Sequence, residues 1–217
     1  MNKDTAYDAL NLIEKKNKID LSDITLLMRL SNHHDSEIRA YVAELLVMAN
    51  SHEAENILLA LADDEDELVR VNACDSLSSF ATIDSYKRLR KCINDESLLV
   101  EEYAVLSIID IMNCINIDKK ELKHLFLNLI QKGEISLSAV CYKGLYMLGH
   151  EEYLDNIIKL INAENYHDRC TVINVLGDII SDENKSLILS ILKRLRETET
   201  SGAVNSVIDK IIGKHTC

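Results

Sequence analysis

Residues 34–49, HDSEIRAYVAELLVMA, and residues 65–80, EDELVRVNACDSLSSF, carry one pattern twice. Laid over each other at an offset of 31, Ile38 falls on Val69, Arg39 on Arg70, Val42 and Ala43 on Ala73 and Cys74, and Leu46 on Leu77. A further 31 residues bring Val100, Glu101, Ala104, Val105 and Ile108 into the same slots, with glutamate where arginine stood. The series then lengthens by six residues around QKGEIS (131–136), reaching Leu137, Cys141, Tyr142 and Leu145. It resumes with Arg169, Val172, Ile173 and Leu176 and closes with Val204 and Ile208, making six copies.

Each copy follows a second amphipathic segment: LSDITLLMRL, HEAENILLALA, DSYKRLRKCI, KKELKHLFLNLI, EEYLDNIIKLI and NKSLILSILKRL. Apolar residues at i, i+3, i+4 and i+7 in both members predict helix pairs with an apolar face on each. One pair cannot bury two such faces, but a stack can, each unit covering its neighbour. The expected architecture is therefore all-α: an α-solenoid of about six antiparallel helix pairs over residues 20–214. DTAYDALNLIEKK, within residues 1–19, is expected to cap the first pair, and residues 1–217 to form a single repeat domain. Composition agrees, since the chain has no proline and only six glycines, so helix breakers are scarce. With no tryptophan and only Phe80 and Phe126 as phenylalanines, the core must be aliphatic.

The acidic run Asp63–Glu67 falls in the turn of the second copy. Asp35, Asp66 and Ser97 align as N-caps, and carboxylates there face the positive helix end. The run lacks the glycine and the closing glutamate of an EF-hand loop. HEAEN (52–56) and HEEYL (150–154) lack the second histidine that a zinc helix requires and read as helix starts, with Asn50 and Glu53 as a capping box. HHD (33–35) reads as a surface turn. The six glycines are isolated, so no phosphate-cradling loop exists. No catalytic, cofactor or metal residues are predicted, and the chain is expected not to be an enzyme.

The net charge of −12 is uneven, with 11 basic against 21 acidic residues in 1–108 and 13 against 15 in 109–217. That balance disfavours nucleic acid, whose phosphates need Lys and Arg, and favours a basic protein or peptide partner. The opening MNKDTAYDAL has no secretory apolar run, and no stretch approaches a membrane span, so a cytoplasmic protein with no membrane contact is expected. The six cysteines (Cys74, Cys92, Cys114, Cys141, Cys170, Cys217) contain no C-x-x-C pair and are expected to be small buried hydrophobes, Cys217 excepted.

DSEIRAYVAELL and DDEDELVRVNACDSL resemble HEAT repeats, whose second helix opens after an aspartate turn with a Val–Arg or Ile–Arg pair. The resemblance implies a right-handed solenoid and a ladder joining Arg39 and Arg70 to Asp64 and Asp95. It also implies that the second helices line the inner surface. Their non-core positions there combine tyrosine with carboxylate: Tyr41, Glu44, Asp75, Glu102, Tyr103 and Asp110. Tyrosine supplies rigid contact area with a polar tip, and carboxylates pair with Arg or Lys, so these six are the candidate partner-binding residues. The expected function is a non-catalytic scaffold, adaptor or immunity-type inhibitor masking a basic partner. The alternative is a HEAT-like enzyme or accessory subunit, of bilin lyase or DNA glycosylase type, with a ligand in its groove.

Overall fold

The structure, a computed structural model, describes residues 1–16, 18–49 and 51–215, and every regular element among them is helical. The helices fall into two compact units, Met1–Ile117 and Asp118–Cys217. The first holds α1 (Lys3–Glu14) and three pairs: α2 (Leu21–Leu30) with α3 (Ser36–Leu46), α4 (His52–Leu61) with α5 (Glu67–Leu77), and α6 (Ile83–Cys92) with α7 (Leu98–Ile111). The second holds α8 (Lys119–Ile130) with α9 (Ile135–Met147), α10 (Leu154–Lys159) with α11 (Tyr166–Asp178), and α12 (Lys185–Thr198) with α13 (Gly202–His215). The first member of the middle pair of unit two is not one continuous helix: 3-10 turns at Glu151–Tyr153 and Leu160–Asn162 flank the short α10.

Unit one is two layers. The helices α1, α3, α5 and α7 pack in succession as close neighbours, while α2, α4 and α6 touch one another sparingly. The more tightly spaced layer is the inner one. All the apolar repeat slots are buried: Ile38, Val42, Ala43, Leu46, Val69, Ala73, Cys74, Leu77, Val100, Ala104, Val105 and Ile108. Polar stitching repeats with the same period, since Ser76 Oγ donates to the Ala43 carbonyl (2.9 Å) and Ser107 Oγ to that of Cys74 (2.8 Å). Each such bond adds about 1 kcal/mol net and fixes the register of one helix on the next.

The predicted N-caps are in place. Asp35 accepts from Glu37 N, Asp66 from Leu68 N and Val69 N, and Ser97 from Val100 N. The α4 cap is Ser51, which accepts from Ala54 N; Asn50, expected in that role, lies outside the described residues, as does Cys217. The arginine ladder forms as the HEAT resemblance implies. Arg39 Nε and Nη2 each reach Asp64 at 2.7 Å, and Arg70 reaches Asp95 at 2.9 and 2.8 Å, both as two-pronged pairs of a buried arginine with a half-buried aspartate. A third rung in unit two joins Arg169 to Glu199 at 2.7 and 3.0 Å.

Two expectations need correction. His33 is buried rather than part of a surface turn, because it occupies the turn-acid slot ahead of Asp64. Its Nδ1 accepts from Asp35 N (3.1 Å), as Asp64 Oδ1 accepts from Asp66 N (2.9 Å), and its Nε2 lies 3.0 Å from the Met1 carbonyl. The cysteines are not uniformly buried: Cys74, Cys92 and Cys141 are, but Cys114 is exposed in the turn after α7 and Cys170 is half-buried.

Candidate binding face

On α3 the residues Glu37, Ala40, Tyr41 and Glu44 stand one turn apart, so they share a face while Ile38, Val42 and Leu46 bury the opposite one. The repeat places Leu68, Asn72 and Asp75 on the same face of α5, and Leu99, Tyr103 and Leu106 on that of α7. The inner layer of unit one therefore presents tyrosines, carboxylates and the exposed leucines Leu68 and Leu99 together.

Tyr41 and Glu44 are brought together with residues outside the predicted set. The Tyr41 hydroxyl reaches Glu14 Oε2 (2.9 Å) and Asn11 Oδ1 (3.0 Å) on α1, and Glu44 Oε1 accepts from Asn72 Nδ2 at 3.1 Å. Partial burial and the Glu14 carboxylate push the Tyr41 hydroxyl up to about 12, so it stays protonated as a donor. Tyr7 of α1 lies beside Tyr41, with ring centroids 6.1 Å apart, and donates to Glu37 Oε2 at 2.9 Å. Lys3 completes this corner, its Nζ 2.6 Å from Glu37, 2.8 Å from Asp35 and 5.9 Å from the Tyr7 ring centre.

Between α1, α3 and α5 these side chains border an open groove of about 450 Å³, floored by Ala40 and edged by Leu68 and Asn72. Sequence reasoning missed Tyr7, Glu37 and Leu68. Glu37 and Leu68 were legible as a row 31 apart, but Tyr7 sits in the cap, outside the repeat, and carries no register signal.

Asp75, Glu102 and Tyr103 form a second group across α5 and α7. Asp75 is exposed, and partial desolvation holds its carboxyl above the ordinary aspartate value. Burial raises the Tyr103 hydroxyl, and the nearby carboxylates of Asp75 and Glu102 add to the rise. Glu102 is buried, so of these three it presents least to solvent. Asp110 is exposed near the end of α7, apart from the other five. In unit two the matching slots hold a buried Lys143 paired with Asp178 at 2.7 Å, so no comparable acidic row exists there.

Among the described residues no group of His, Cys, Asp or Glu has the arrangement of a metal site, and no helix is long and apolar enough to cross a membrane.

A family model for HEAT repeats matches residues 25–108. No curated protein sequence matches the chain. Among solved structures, the complex of CpcE and CpcF of phycocyanin lyase from Nostoc sp. PCC7120 is similar with a TM-score of 0.50 and 15% identity, covering 92% of this chain and 97% of that one. Human deoxyhypusine hydroxylase, in complex with glycerol, aligns with a TM-score of 0.44 and 12% identity over 97% of this chain and 88% of its own. An archaeal HEAT-like repeats protein from Thermococcus onnurineus NA1 aligns with a TM-score of 0.41 and 16% identity, over 95% and 93%. The expectation that the chain is not an enzyme is corrected: a chain of the phycocyanin lyase complex shares this fold, so the fold does not exclude an enzyme. With their repeated helix pairs and arginine ladder, residues 25–108 are the part of the chain that matches the HEAT-repeat family.

Proposed function

We propose that unit one docks a basic protein or peptide on the face formed by α3, α5 and α7. The observation that carries this reading is the clustering of acidic side chains, tyrosines and exposed leucines on one layer. Tyr41, Glu44, Asp75, Tyr103, Leu68 and Leu99 share it. Residues 1–117 carry 11 Lys and Arg against 22 Asp and Glu, whereas residues 118–217 carry 13 against 14, so the attraction for a cationic partner is concentrated in unit one. Charge speeds the encounter, and the tyrosines and leucines supply the apolar area that holds the complex. Asp110 extends the same face, and Glu102 supports it from beneath. The reading holds whether the docked protein is a substrate or an assembly partner.

The test is affinity capture from native lysate, followed by reconstitution with the purified partner and titration at low and high salt. Glu44→Lys/Asp75→Lys is compared with Glu53→Lys/Asp84→Lys, which changes net charge equally on α4 and α6 of the other layer. The inner pair is expected to weaken binding by about 100-fold or more, and the outer pair by less than about tenfold. Equal losses from both pairs would mean that total charge, not this face, is what the partner reads.

A further inference from the structure

We infer that the groove between α1, α3 and α5 seats one arginine side chain of the basic partner; this rests on the docking reading and names the residue chemistry at one point of it. Both aromatic walls are pinned at their tips. The Tyr7 hydroxyl is held by Glu37 and the Tyr41 hydroxyl by Glu14 and Asn11, so the rings are fixed platforms rather than free hydrogen-bonding arms. A planar cation gains most from such platforms, because it can lie on a ring face while its edge donates sideways.

The acceptor for that edge is Glu44. It is exposed, and among the described residues its carboxylate accepts one hydrogen bond, from Asn72, on Oε1. A carboxylate has about four lone-pair positions, so most of its accepting capacity is open to a ligand. Glu37 stands two helical turns away along α3 and is already occupied by the Tyr7 hydroxyl and by Lys3. That occupation is an internal precedent: at the groove mouth the chain's own ammonium sits between a carboxylate and the Tyr7 ring. Leu68 and Ala40 give the aliphatic stem of an arginine an apolar rest. Lysine fits less well, since its compact, strongly hydrated charge makes no two-pronged bond to Glu44 and no planar stack on tyrosine.

The experiment uses the full chain and two fluorescein-labelled, glycine–serine-spaced peptides with the same basic positions filled by arginine or by lysine. Fluorescence anisotropy at low salt is expected to show the arginine peptide binding about tenfold more tightly, a difference of about 1.4 kcal/mol. Glu44→Gln, which keeps the side-chain shape, is expected to erase that preference, as is Tyr7→Leu. The arginine peptide is also expected to shift the ring-proton resonances of Tyr7 and Tyr41. Asp75→Lys/Asp110→Lys, lying away from the groove, should weaken both peptides while leaving the preference intact. Equal affinity for the two peptides, unaffected by Glu44→Gln, overturns the arginine seat; if Asp75→Lys/Asp110→Lys still weakens both, the docking face stands without it. If that pair changes nothing either, the docking reading falls too.

Discussion

Asp75 is exposed, yet partial desolvation holds its carboxyl above the ordinary aspartate value, with no charged neighbour as the cause. The sign of the linked stability effect follows. A folded-state pKa raised above the unfolded value penalises the native state wherever the carboxylate is ionised, and the penalty disappears below the ordinary aspartate value of about 4. Asp75→Asn is therefore expected to raise stability at pH 7 slightly, by up to about 0.5 kcal/mol for a group that still meets solvent. The gain should fade as pH falls toward about 4. Thermal melts of both proteins at the two pH values check this; a destabilised Asn variant at pH 7 would mean that Asp75 makes a bond worth more than its desolvation costs. The same substitution is expected to weaken the basic partner, so the stability gain and the binding loss should appear in one variant.

At the scale of the helix pairs, the arginine ladder decides how rigidly the docking face is held. Arg70 lies on α5, directly behind Leu68 and Asn72, and its guanidinium also ties down the Asp64 and Glu65 carbonyls at 2.9 and 3.2 Å. Burial alone would raise the Asp95 carboxyl, but Arg70 and the amides of Ser97 and Glu96 overcome it and hold the group below its ordinary value. The pair's contribution is thus complete above the ordinary aspartate range and is lost as pH falls through the depressed folded-state pKa. Arg70→Met strands a half-buried carboxylate and two carbonyls, an expected loss of about 2–4 kcal/mol at pH 7. Arg70→Met/Asp95→Asn should recover part of it, because the amide oxygen can still accept from Ser97 N, as Asp95 Oδ1 does at 2.9 Å. Urea unfolding measures both; a double variant as unstable as the single would place the cost in the lost carbonyl bonds instead. These rungs were legible through the HEAT resemblance, which implies a ladder, and Arg39, Arg70, Asp64 and Asp95 occupy its slots at the offset of 31. The third rung was not. Glu199 stands 30 residues after Arg169, where the earlier acids stand 25 after theirs, so a longer α12 carries it out of register while its extra methylene lets it reach. His33 escaped for a related reason: it performs the acceptor role of an aspartate with a different side chain, and a pattern of residue types does not register equivalent roles. Apolar slots, caps and helix order were readable because period and spacing dictate them. The groove was half readable, since Tyr41 and Glu44 obey the repeat while Tyr7 enters from a cap that no repeat predicts.

Across the whole molecule, the charge asymmetry has a consequence separate from binding. Residues 1–117 carry twice as many acidic as basic side chains, and residues 118–217 are close to balance. Like charges held together destabilise the compact state, and added salt relieves them, because the screening length shrinks from about 10 Å at 0.1 M to about 3 Å at 1 M. The buried rungs respond little to salt, since solvent ions do not enter between Arg39 and Asp64 or between Arg70 and Asp95, whose side chains are at most 13% exposed. Salt should therefore stabilise unit one by relaxing its exposed carboxylates without dissolving the ladder that holds it. Hydrogen exchange of the full chain at about 0.02 M and about 0.5 M NaCl tests this, because the Debye length falls severalfold over that range. Amides in the core of α3, α5 and α7 are expected to exchange more slowly at high salt, with those of α9, α11 and α13 nearly unchanged. A basic partner should slow the same α3, α5 and α7 amides at low salt, since it neutralises the same charges, and its added protection should shrink as salt replaces it. Equal salt responses in the two units would show that the acidic side chains of unit one are too well paired or too far apart to repel, and would remove the electrostatic strain that a cationic partner is expected to relieve.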